Sequence, residues 1–408
     1  MYRGNPHSGG QGVYTKYLTR ELALMGHRVE VFSGPPYPEV DRDVGLHRLP
    51  SLDLYREPDP FRVPKLSEFK DVFDIGEFLL MATGAFPEPR SFGWRLRREL
   101  YPSLGQFDVV HDNQSLSWSV LRMQQAGVPV VASIHHPITV DRRLSLEYAE
   151  SLKQRLGLLR FYGFVRMQCL VAARLRHVLT VSNASARDIA REMGVDLRRM
   201  AVGPVGVDMD VFRPLPLDKE QGLVVTTASA DVPLKGLRYL IEAVAILRST
   251  GSLKDLHLVV MGPTKQESPV QRLVQRLGLG DRIRFVGKVS TTEMVQYYSK
   301  CQVAVVPSLY EGFSLPSIEA MACGAPLVVT DGGALPEVVD SEGSESALVV
   351  RAGDAEALAQ AIGRLLDNPE IGVKLSKNAL IHVRNNYSWR RSAESALQMY
   401  QRAIEEAR

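Results

Sequence analysis

Short apolar runs alternate with longer amphipathic stretches along most of the chain. The runs are rich in Val, Ile and Leu, which is typical of strands that are buried on both faces. They predict strands at residues 29–32, 109–111, 128–134, 177–181, 224–228, 256–261, 282–286, 303–307 and 327–330. Apolar residues at helical spacing predict helices at residues 12–25, 236–248, 268–277, 292–299, 317–323 and about 388–405. This alternation predicts an α/β protein whose parallel sheets are covered by helices on both faces.

The length of the chain indicates more than one domain. A chain of 408 residues exceeds one ordinary hydrophobic core, so two domains are expected. A glycine- and proline-rich segment near residues 203–218 is typical of a linker. We therefore expect an N-terminal domain at 1–205, a C-terminal domain at 206–385, and a helix within 386–408 that packs back on the N-terminal domain. The glycine-rich turn at 8–12 comes so early that the first strand is either very short or missing from this chain.

The amino-acid composition excludes several classes of protein. Apolar residues make up 45% and charged residues 23% of the chain, as in ordinary globular proteins. The net charge of +3 is too small to indicate a nucleic-acid-binding protein. The three cysteines are odd in number and widely spaced, which indicates free buried thiols in a reducing compartment. No long apolar window and no signal peptide are evident, so the sequence predicts a cytoplasmic protein.

The segment 308–324, with the sequence SLYEGFSLPSIEAMACG, joins a predicted strand to a helix through a loop that contains glycine. Pro316 suits the first turn of the helix, where its missing N–H group is not needed. The backbone amides of residues 313–317 are expected to form an anion site that the helix dipole assists. Glu311 and Glu319 flank this site, and a carboxylate can accept hydrogen bonds from two sugar hydroxyls. Isolated glutamates at such positions are more commonly solvated side chains.

Other polar residues lie at predicted strand ends or helix starts. Lys235 precedes a glycine at the start of a predicted helix, where its charge can bind a diphosphate, although a lone lysine there is usually a surface residue. His135 and His136 follow a predicted strand, at the end where α/β proteins bind ligands. A single histidine at such a place is more often structural. The loop before the first helix contains Gly9 and Gly10, which let backbone amides approach a phosphate or an acceptor.

Together these segments resemble the retaining glycosyltransferases of family 4, which carry an E-x7-E motif. The long match is the segment 310–324, and weaker similarity extends to residues 9–12, 26–29, 207–214 and 326–337. The resemblance implies the GT-B architecture, in which two facing Rossmann-like domains with parallel sheets enclose an interdomain cleft. It also implies that Glu311 lies at the donor sugar and that Glu319 binds the ribose of the nucleotide.

The resemblance assigns further residues. Lys235 corresponds to the family's diphosphate-binding lysine, and His135 to a strand-end histidine near the reaction centre; His136 is the weaker candidate of the pair. The predicted catalytic residues are His135, Lys235 and Glu311. The nucleotide base of the donor is expected beside the backbone of residues 286–289. The predicted donor-binding residues are Gly9, Gly10, Lys235, Gly287, Val289, Glu311, Gly312, Phe313, Ser314, Leu315 and Glu319. The family usually has an arginine where this chain has Ala230, which puts the strength of donor binding in question.

The resemblance implies a retaining, metal-independent transferase that needs no cofactor. The donor is a nucleotide-diphosphate hexose, with a UDP-sugar favoured and GDP-mannose next. The acceptor is a hydroxyl group of a glycolipid, a polysaccharide or a small glycoside. Asp208 and Asp210 imitate a metal-binding D-x-D motif, but they lie in the predicted hinge, so no metal is assigned to them. The alternatives are a GT-B epimerase, a phosphorylase, or a non-catalytic sugar-nucleotide-binding protein, which only Ala230 favours.

The N-terminal half contains two basic stretches. Residues 142–177 contain 8 Lys and Arg against 2 acids, and Arg95, Arg97 and Arg98 form a second run beside Trp94. One interpretation is a solvated helix face. The other is a basic amphipathic helix that rests on an anionic membrane, which would place the protein at the inner face of the cell membrane. A lipid-linked acceptor would agree with the second interpretation, and the sequence leaves the oligomeric state open.

Overall fold

The computed structural model describes residues 1–4, 10–56, 59–147, 149, 151–228, 232–251, 255–264, 268–340 and 343–407. The chain folds into two units. The first comprises Met1–Gly203 together with Trp389–Arg408, and the second comprises Pro204–Ser388. The chain passes between the units after residues 203 and 388, where the sequence analysis expected 205 and 385.

Parallel strands form the sheets of both units. In the first unit they are β1 Val29–Ser33, β2 Val44–Arg48, β3 Val110–Asn113, β4 Val130–Ile134, β5 His177–Thr180 and β6 Met200–Val202. In the second they are β7 Leu223–Thr227, β8 His257–Met261, β9 Ile283–Gly287, β10 Val303–Val306, β11 Leu327–Thr330 and β12 Leu348–Val350. β1 pairs with β2, the order β3-β4-β5-β6 forms a second sheet, and the second unit has the order β12-β11-β10-β7-β8-β9.

Helices cover these sheets. In the first part of the chain they are α1 Gly10–Leu24, α2 Val72–Ala82, α3 Glu88–Leu100, α4 Trp118–Gln125, α5 Ile138–Glu147, α6 Leu152–Phe161, α7 Val165–Ala172 and α8 Asn183–Met193. They continue as α9 Leu237–Ser249, α10 Pro269–Arg276, α11 Thr291–Lys300, α12 Leu315–Ala322, α13 Leu335–Val339, α14 Ala355–Asp367, α15 Pro369–Asn386 and α16 Trp389–Ala407. The final helix, α16, belongs to the first unit and packs on α1 and β4. No described helix is both long and apolar enough to cross a membrane.

The structure confirms all nine predicted strands and the predicted α/β class, with strand ends shifted by no more than two residues. β4, β5, β10 and β11 are buried along their whole length, as their unbroken apolar runs predict. The sequence analysis missed β2, β6 and β12, which have no fully buried run. β6 and β12 are edge strands of three residues each, and β2 pairs only with β1. Cys301 and Cys323 are buried and Cys169 is half-buried, and all three thiols are free.

The predictions for the two basic stretches need correction. Residues 142–177 do not form one amphipathic helix, because the chain turns between α5, α6 and α7. Arg95 does not belong to an exposed basic run, since it is 2% exposed and contacts two acids of α2. Its neighbours Arg97 and Arg98 are exposed. Helical geometry explains the difference for Arg97, which points about 160° away from Arg95 around α3 and cannot share its face.

The strand order of the second unit places a topological switch point between β7 and β10. From β7 the chain proceeds to β8 and β9 on one side, and it then returns to β10 on the other side of β7. Loops that leave neighbouring strands at such a point diverge, and α/β proteins bind ligands in the crevice between them, outside the carboxyl ends of the strands. Lys235 follows β7 and Glu311 follows β10, so both residues lie at this point.

Gly236 holds the two loops of the switch point close together. Its φ is 63°, and a Cβ atom there would overlap the carbonyl oxygen of Pro307, the first residue after β10. The backbone N–H of Leu309 donates to the carbonyl oxygen of Leu234 at 2.8 Å, which joins the loops directly. Only a residue without a side chain permits both the backbone conformation and this approach.

We expect Gly236→Ala to destabilise the protein by about 3 kcal/mol, because the methyl group adds steric overlap to the cost of a positive φ. Gly278→Ala is the matched control: Gly278 has a φ of 65°, but nothing lies within 4 Å of its Cβ position. This control should lose only about 1 kcal/mol. Urea unfolding of both variants measures the difference. Equal losses would contradict the close approach at Pro307.

Candidate active site

Hydrogen bonds fix both the backbone and the side chain of Glu311. Its N–H donates to the carbonyl oxygen of Gly332 at 3.3 Å, and its own carbonyl accepts from Ala334 at 2.8 Å. The Oε1 atom accepts from Lys235 Nζ at 2.7 Å and from Ser308 Oγ at 2.8 Å. The structure thus brings Glu311 and Lys235 together at the switch point. Ser308, which the sequence analysis did not select, is a third member of the cluster.

The loop after Glu311 leads into α12 as predicted, although the helix begins two residues earlier than expected. Pro316 lies in its first turn, and Ser314 is the N-cap, whose Oγ accepts from the N–H of Ser317. Ser314 has a φ of 149°, an uncommon conformation for a residue with a side chain. Phe313 is buried beneath this turn against the ring of Tyr387. The N–H groups at the start of α12 and the helix dipole favour an anion at this place.

Glu319 is the fifth of the eight residues of α12 and is half-buried. Burial raises its pKa to about 7. No described residue donates a hydrogen bond to this carboxyl group or forms an ion pair with it. A carboxyl group of this kind is a strong acceptor once it is ionised, and it suits a ligand that offers hydroxyl groups.

Gly287 and Val289 were also predicted to bind the donor, and they lie at the end of β9 and just after it. Gly287 is the last residue of β9, the edge strand, and has a φ of 69°. Its carbonyl oxygen accepts from the N–H of Gly262 at 2.8 Å, which pairs the loops after β8 and β9. Val289 is half-buried just before Ser290, the N-cap of α11. These residues share the carboxyl edge of the sheet with Lys235 and Glu311 but lie beyond the switch point.

His135 follows β4 in the first unit and is neutral. Burial, with smaller contributions from the charges of His136 and His111, lowers the pKa of His135 to about 3. Its Nε2 lies 2.7 Å from Oδ1 of Asn113, and Tyr14 packs edge-on against its ring. The Nδ2 group of Asn113 donates to a carbonyl oxygen, that of Gln11, so its Oδ1 must face the histidine. Nε2 therefore carries the proton, and Nδ1 is left as an acceptor.

Gln114 fixes the backbone around the two histidines. Its Oε1 accepts from the N–H of His135 at 2.8 Å, and its Nε2 donates to the carbonyl oxygen of His136 at 2.9 Å. Gln114 is buried and has a φ of 55°, and backbone strain of this kind clusters at functional sites. Asn113 and Gln114 were not predicted from the sequence. The available signal was their position at the end of β3, beside β4, which His135 directly follows.

Some of the remaining predicted site residues lie in the part of the chain that the structure describes, and others lie outside it. Gly10 is exposed at the first position of α1. His136 is partly exposed, and its Nε2 lies 2.8 Å from Asp141. Asp208 accepts the backbone N–H of Asp210 at 3.0 Å, so its carboxylate closes a turn. Gly9 and Ala230 lie outside the described residues. Among the residues that the structure describes, no group of three or more His, Cys, Asp or Glu side chains could hold a metal ion.

Two α/β units with parallel sheets and polar side chains at the carboxyl ends of their strands are typical of ligand-binding α/β proteins, and comparison with known proteins identifies the family. The sequence pattern of Glycosyltransferase Family 4 matches residues 8–211, and that of Glycosyl transferases group 1 matches residues 210–381. The MMP alpha-(1->4)-mannosyltransferase of Mycolicibacterium hassiacum is 44% identical over 404 residues, which cover 99% of this chain and 97% of that protein.

A more distant relative and a solved structure support the same family and fold. A D-inositol 3-phosphate glycosyltransferase of Acidothermus cellulolyticus is 30% identical over 427 residues, which cover 98% of this chain and 87% of that protein. The solved structure of sucrose-phosphate synthase from Thermosynechococcus elongatus has a TM-score of 0.72 and 23% identity, and it covers 99% of this chain and 97% of that one. The chain belongs to glycosyltransferase family 4. It has the GT-B fold of two Rossmann-like domains and is a glycosyltransferase.

Asn113→Asp tests the contact between Asn113 and the ring of His135. A carboxylate beside Nε2 should raise the pKa of His135 from about 3 to about 5, because an opposite charge within hydrogen-bonding distance favours the protonated ring. Nitrogen-detected NMR of the imidazole rings measures the titration. The signals of His136, which contacts Asp141 instead, serve as the internal reference. A pKa that stays at the wild-type value would contradict the contact between Asn113 and His135.

Proposed function

We propose that this protein is a retaining α-mannosyltransferase that transfers mannose from GDP-mannose to a saccharide hydroxyl and forms an α-(1→4) linkage. The main support is the 44% identity, over nearly the whole of both chains, to a protein named as an alpha-(1->4)-mannosyltransferase. That relationship favours GDP-mannose, the second donor expected from the sequence, over a UDP-sugar. It favours a transferase over the epimerase, phosphorylase and non-catalytic alternatives.

The pair formed by Lys235 and Glu311 at the switch point carries the chemical argument. Cleavage of the donor's glycosidic bond leaves a nucleoside diphosphate that gains negative charge, and a fixed cation stabilises this charge more strongly in a partly desolvated site. The ammonium group of Lys235 has three N–H donors, and Glu311 accepts one of them at 2.7 Å. The other two can bind diphosphate oxygens while Glu311 holds the ammonium group in place.

Three further groups suit a nucleotide sugar. The first turn of α12 supplies backbone N–H groups for a phosphate. Glu319, once ionised, can accept hydrogen bonds from the two ribose hydroxyls. In the first unit, His135 has an unprotonated Nδ1 that can accept a hydrogen bond from a hydroxyl group and cannot bind a phosphate as a cation would. In the second unit the proposed donor meets a cation and amides at its diphosphate, and an acceptor at its ribose.

In the proposed reaction the α-configuration of the donor is kept in the product, so no general base is required on the face opposite the leaving group. The departing diphosphate takes the proton of the acceptor hydroxyl as the new bond forms. Lys235 and the α12 amides provide the positive charge that a metal ion provides in other transferases, and we propose that the protein needs no metal.

Transfer assays with a panel of donors test the proposal. With GDP-mannose, UDP-glucose and ADP-glucose supplied in the presence of EDTA, we expect product only from GDP-mannose, with α-linked mannose on an oligomannoside acceptor. Mass spectrometry and NMR identify the product and its linkage. Inositol 3-phosphate is included as a second acceptor, because a relative is named for it. Faster transfer from UDP-glucose, or activity that EDTA abolishes, would overturn the donor or the metal assignment.

Glu311→Gln is the matched variant for this assay. It should lower kcat/KM by a factor of about 10²–10³, since the ammonium group of Lys235 loses the charge that positions it. Glu356→Gln, at an exposed position on α14, makes the same chemical change away from the site and should retain full activity. If both variants transfer mannose at the wild-type rate, Glu311 is not part of the site.

The raised pKa of Glu319 predicts that nucleotide binding depends on pH. If the ribose hydroxyls need the carboxylate, the affinity for GDP should rise by about tenfold between pH 6 and pH 8, as a group with a pKa of about 7 ionises. Titration calorimetry measures this change. Because the phosphates of GDP also titrate, Glu319→Gln supplies the reference, and it should show a much smaller dependence. Identical pH profiles for the two proteins would contradict the role of Glu319.

A further inference from the structure

Helix α2 of the first unit has its charged side chains inside and its apolar side chains outside. Its only charged residues, Asp74 and Glu77, are buried. On the opposite face Val72, Ile75 and Leu79 are between 51% and 73% exposed. This arrangement is the reverse of an ordinary surface helix, whose apolar stripe faces the core.

Buried ion pairs fix the orientation of α2. Arg95 of α3 contacts Oδ1 of Asp74 at 2.6 Å and Oε2 of Glu77 at 2.7 Å. Asp74 also accepts the backbone N–H groups of Lys70 and Asp71, which caps the start of the helix. Rotation of α2 to bury its apolar face would leave the charge of Arg95 buried without a partner, at a high cost. The outward position of the apolar stripe is therefore enforced by the packing beneath it.

Helix α6 presents a second apolar stripe. Leu152, Leu156 and Leu159 follow the helical repeat on one face and are between 43% and 74% exposed, and no residue of α6 is buried. The C-terminal ends of α2 and α6 lie side by side. Arg160 of α6 donates to the carbonyl oxygen and to the hydroxyl of Thr83, the C-cap of α2, at 3.2 and 2.7 Å. We call the exposed faces of α2 and α6 the apolar face.

Exposed cations border the apolar face. By the 3.6-residue repeat, Arg155 lies on one side of the leucine stripe of α6, and Lys153 and Arg160 lie on the other. Arg97 lies beyond α2, on the helix that also carries Trp94. The described acids nearest to these cations on the surface of α2 and α3 are Asp71 and Glu99, and Arg98 pairs with both. The remaining exposed charges of α2, α3 and α6 are positive, and Glu147 of α5, the helix that packs on α6, is an exposed acid nearby.

Trp94 joins the apolar face to this border. Its indole ring lies beside Gly76 of α2, where a Cβ atom would be 3.1 Å from the ring, and it is 37% exposed. A partly exposed tryptophan between an apolar surface and cations is typical of side chains that lie at the boundary of a lipid bilayer, since its ring is apolar and its N–H group is polar.

From these observations we propose that the apolar face of α2 and α6 docks on the surface of a bilayer that contains anionic lipids. The apolar side chains would enter the boundary between the headgroups and the acyl chains. Arg97, Lys153 and Arg155 would reach the lipid phosphates through their long side chains, while Arg160 holds the ends of α2 and α6 together. The proposal differs from the sequence-based interpretation, which relied on Arg95 and on a single basic helix.

Charge distinguishes a bilayer from a second copy of the chain. A symmetric dimer through this face would place the same surface on both sides, so the cations around α6 of one copy would approach those of the other. Like charges at such an interface repel, whereas an anionic bilayer satisfies every cation at once. The two stripes lie on separate helices, and a deformable lipid surface can contact both.

Vesicle flotation of the full chain tests the proposal. We expect binding to vesicles that contain phosphatidylglycerol and at least tenfold weaker binding to pure phosphatidylcholine. The double variant Ile75→Ser/Leu79→Ser and the double variant Lys153→Glu/Arg155→Glu should each weaken binding to the anionic vesicles at least tenfold. All four side chains are exposed, so both variants should keep the wild-type melting temperature.

Matched controls come from α15 of the second unit. Val373→Ser/Ile381→Ser removes two exposed apolar side chains, which are 70% and 52% exposed, and should bind vesicles as the wild type does. Arg276→Glu/Lys377→Glu makes an equal change of charge at exposed positions of α10 and α15 and should have a smaller effect than the α6 variant. Tryptophan fluorescence should shift to shorter wavelength on vesicle binding, and Trp94→Phe should remove the shift.

Three results would overturn the proposal. The first is wild-type protein that does not bind anionic vesicles. The second is equal weakening by the α2 and α15 variants. The third is a wild-type dimer in analytical ultracentrifugation that Ile75→Ser/Leu79→Ser dissociates, since the face would then be covered by a second copy. Mannosyl transfer to a water-soluble acceptor is measured in parallel, so a failed donor assignment and a failed membrane assignment give different results.

Discussion

The approach of the Gly236 turn to the carbonyl oxygen of Pro307 is the constraint on which the donor-side residues depend. It brings the loop after β7 against the loop after β10, and the hydrogen bond from Leu309 to Leu234 joins them. Lys235 precedes this glycine, so its side chain reaches Glu311 at 2.7 Å. The strand order alone would bring the two loops to the same edge of the sheet, but it would not set this distance. A close backbone contact that only glycine allows converts a general property of α/β sheets into a defined ion pair.

Sequence alone predicted the parts of the fold that local patterns determine. Buried strands such as β4 and β10 have unbroken apolar runs, whereas the short edge strands β6 and β12 have none and were missed. The same distinction holds at the site. Glu311 and Glu319 lie in a recognisable sequence motif, and Lys235 directly precedes a glycine at a helix start. The roles of Asn113 and Gln114 arise from side chains that reach residues of a neighbouring strand, and no local pattern contains those contacts.

Arg95 shows why a run of charges is weak evidence for a surface. It stands just before two exposed arginines in the sequence, yet its partners are 21 and 18 residues away on α2 and are themselves buried. The pairing depends on the packing of α2 against α3, which the sequence analysis did not predict. This pairing also determines how the apolar residues of α2 are interpreted. They are not core residues, because the charged face of the same helix occupies the core side.

Ionisable groups that are removed from solvent have two different roles in this protein. Arg95 contacts both Asp74 and Glu77, and these three side chains fix the orientation of α2, although burial still raises the pKa of Glu77. His135 and Glu319 are half-buried with no described charged partner, and desolvation shifts their pKa values to about 3 and about 7, which favours the neutral forms. Both lie near the carboxyl ends of strands, where a polar ligand can replace the lost solvation. A shifted pKa alone does not identify a binding residue, because desolvation also lowers the pKa of His111 to about 4. Both ring nitrogens of His111 are hydrogen-bonded, to Tyr400 and Ser133, whereas Nδ1 of His135 is left to accept from a ligand.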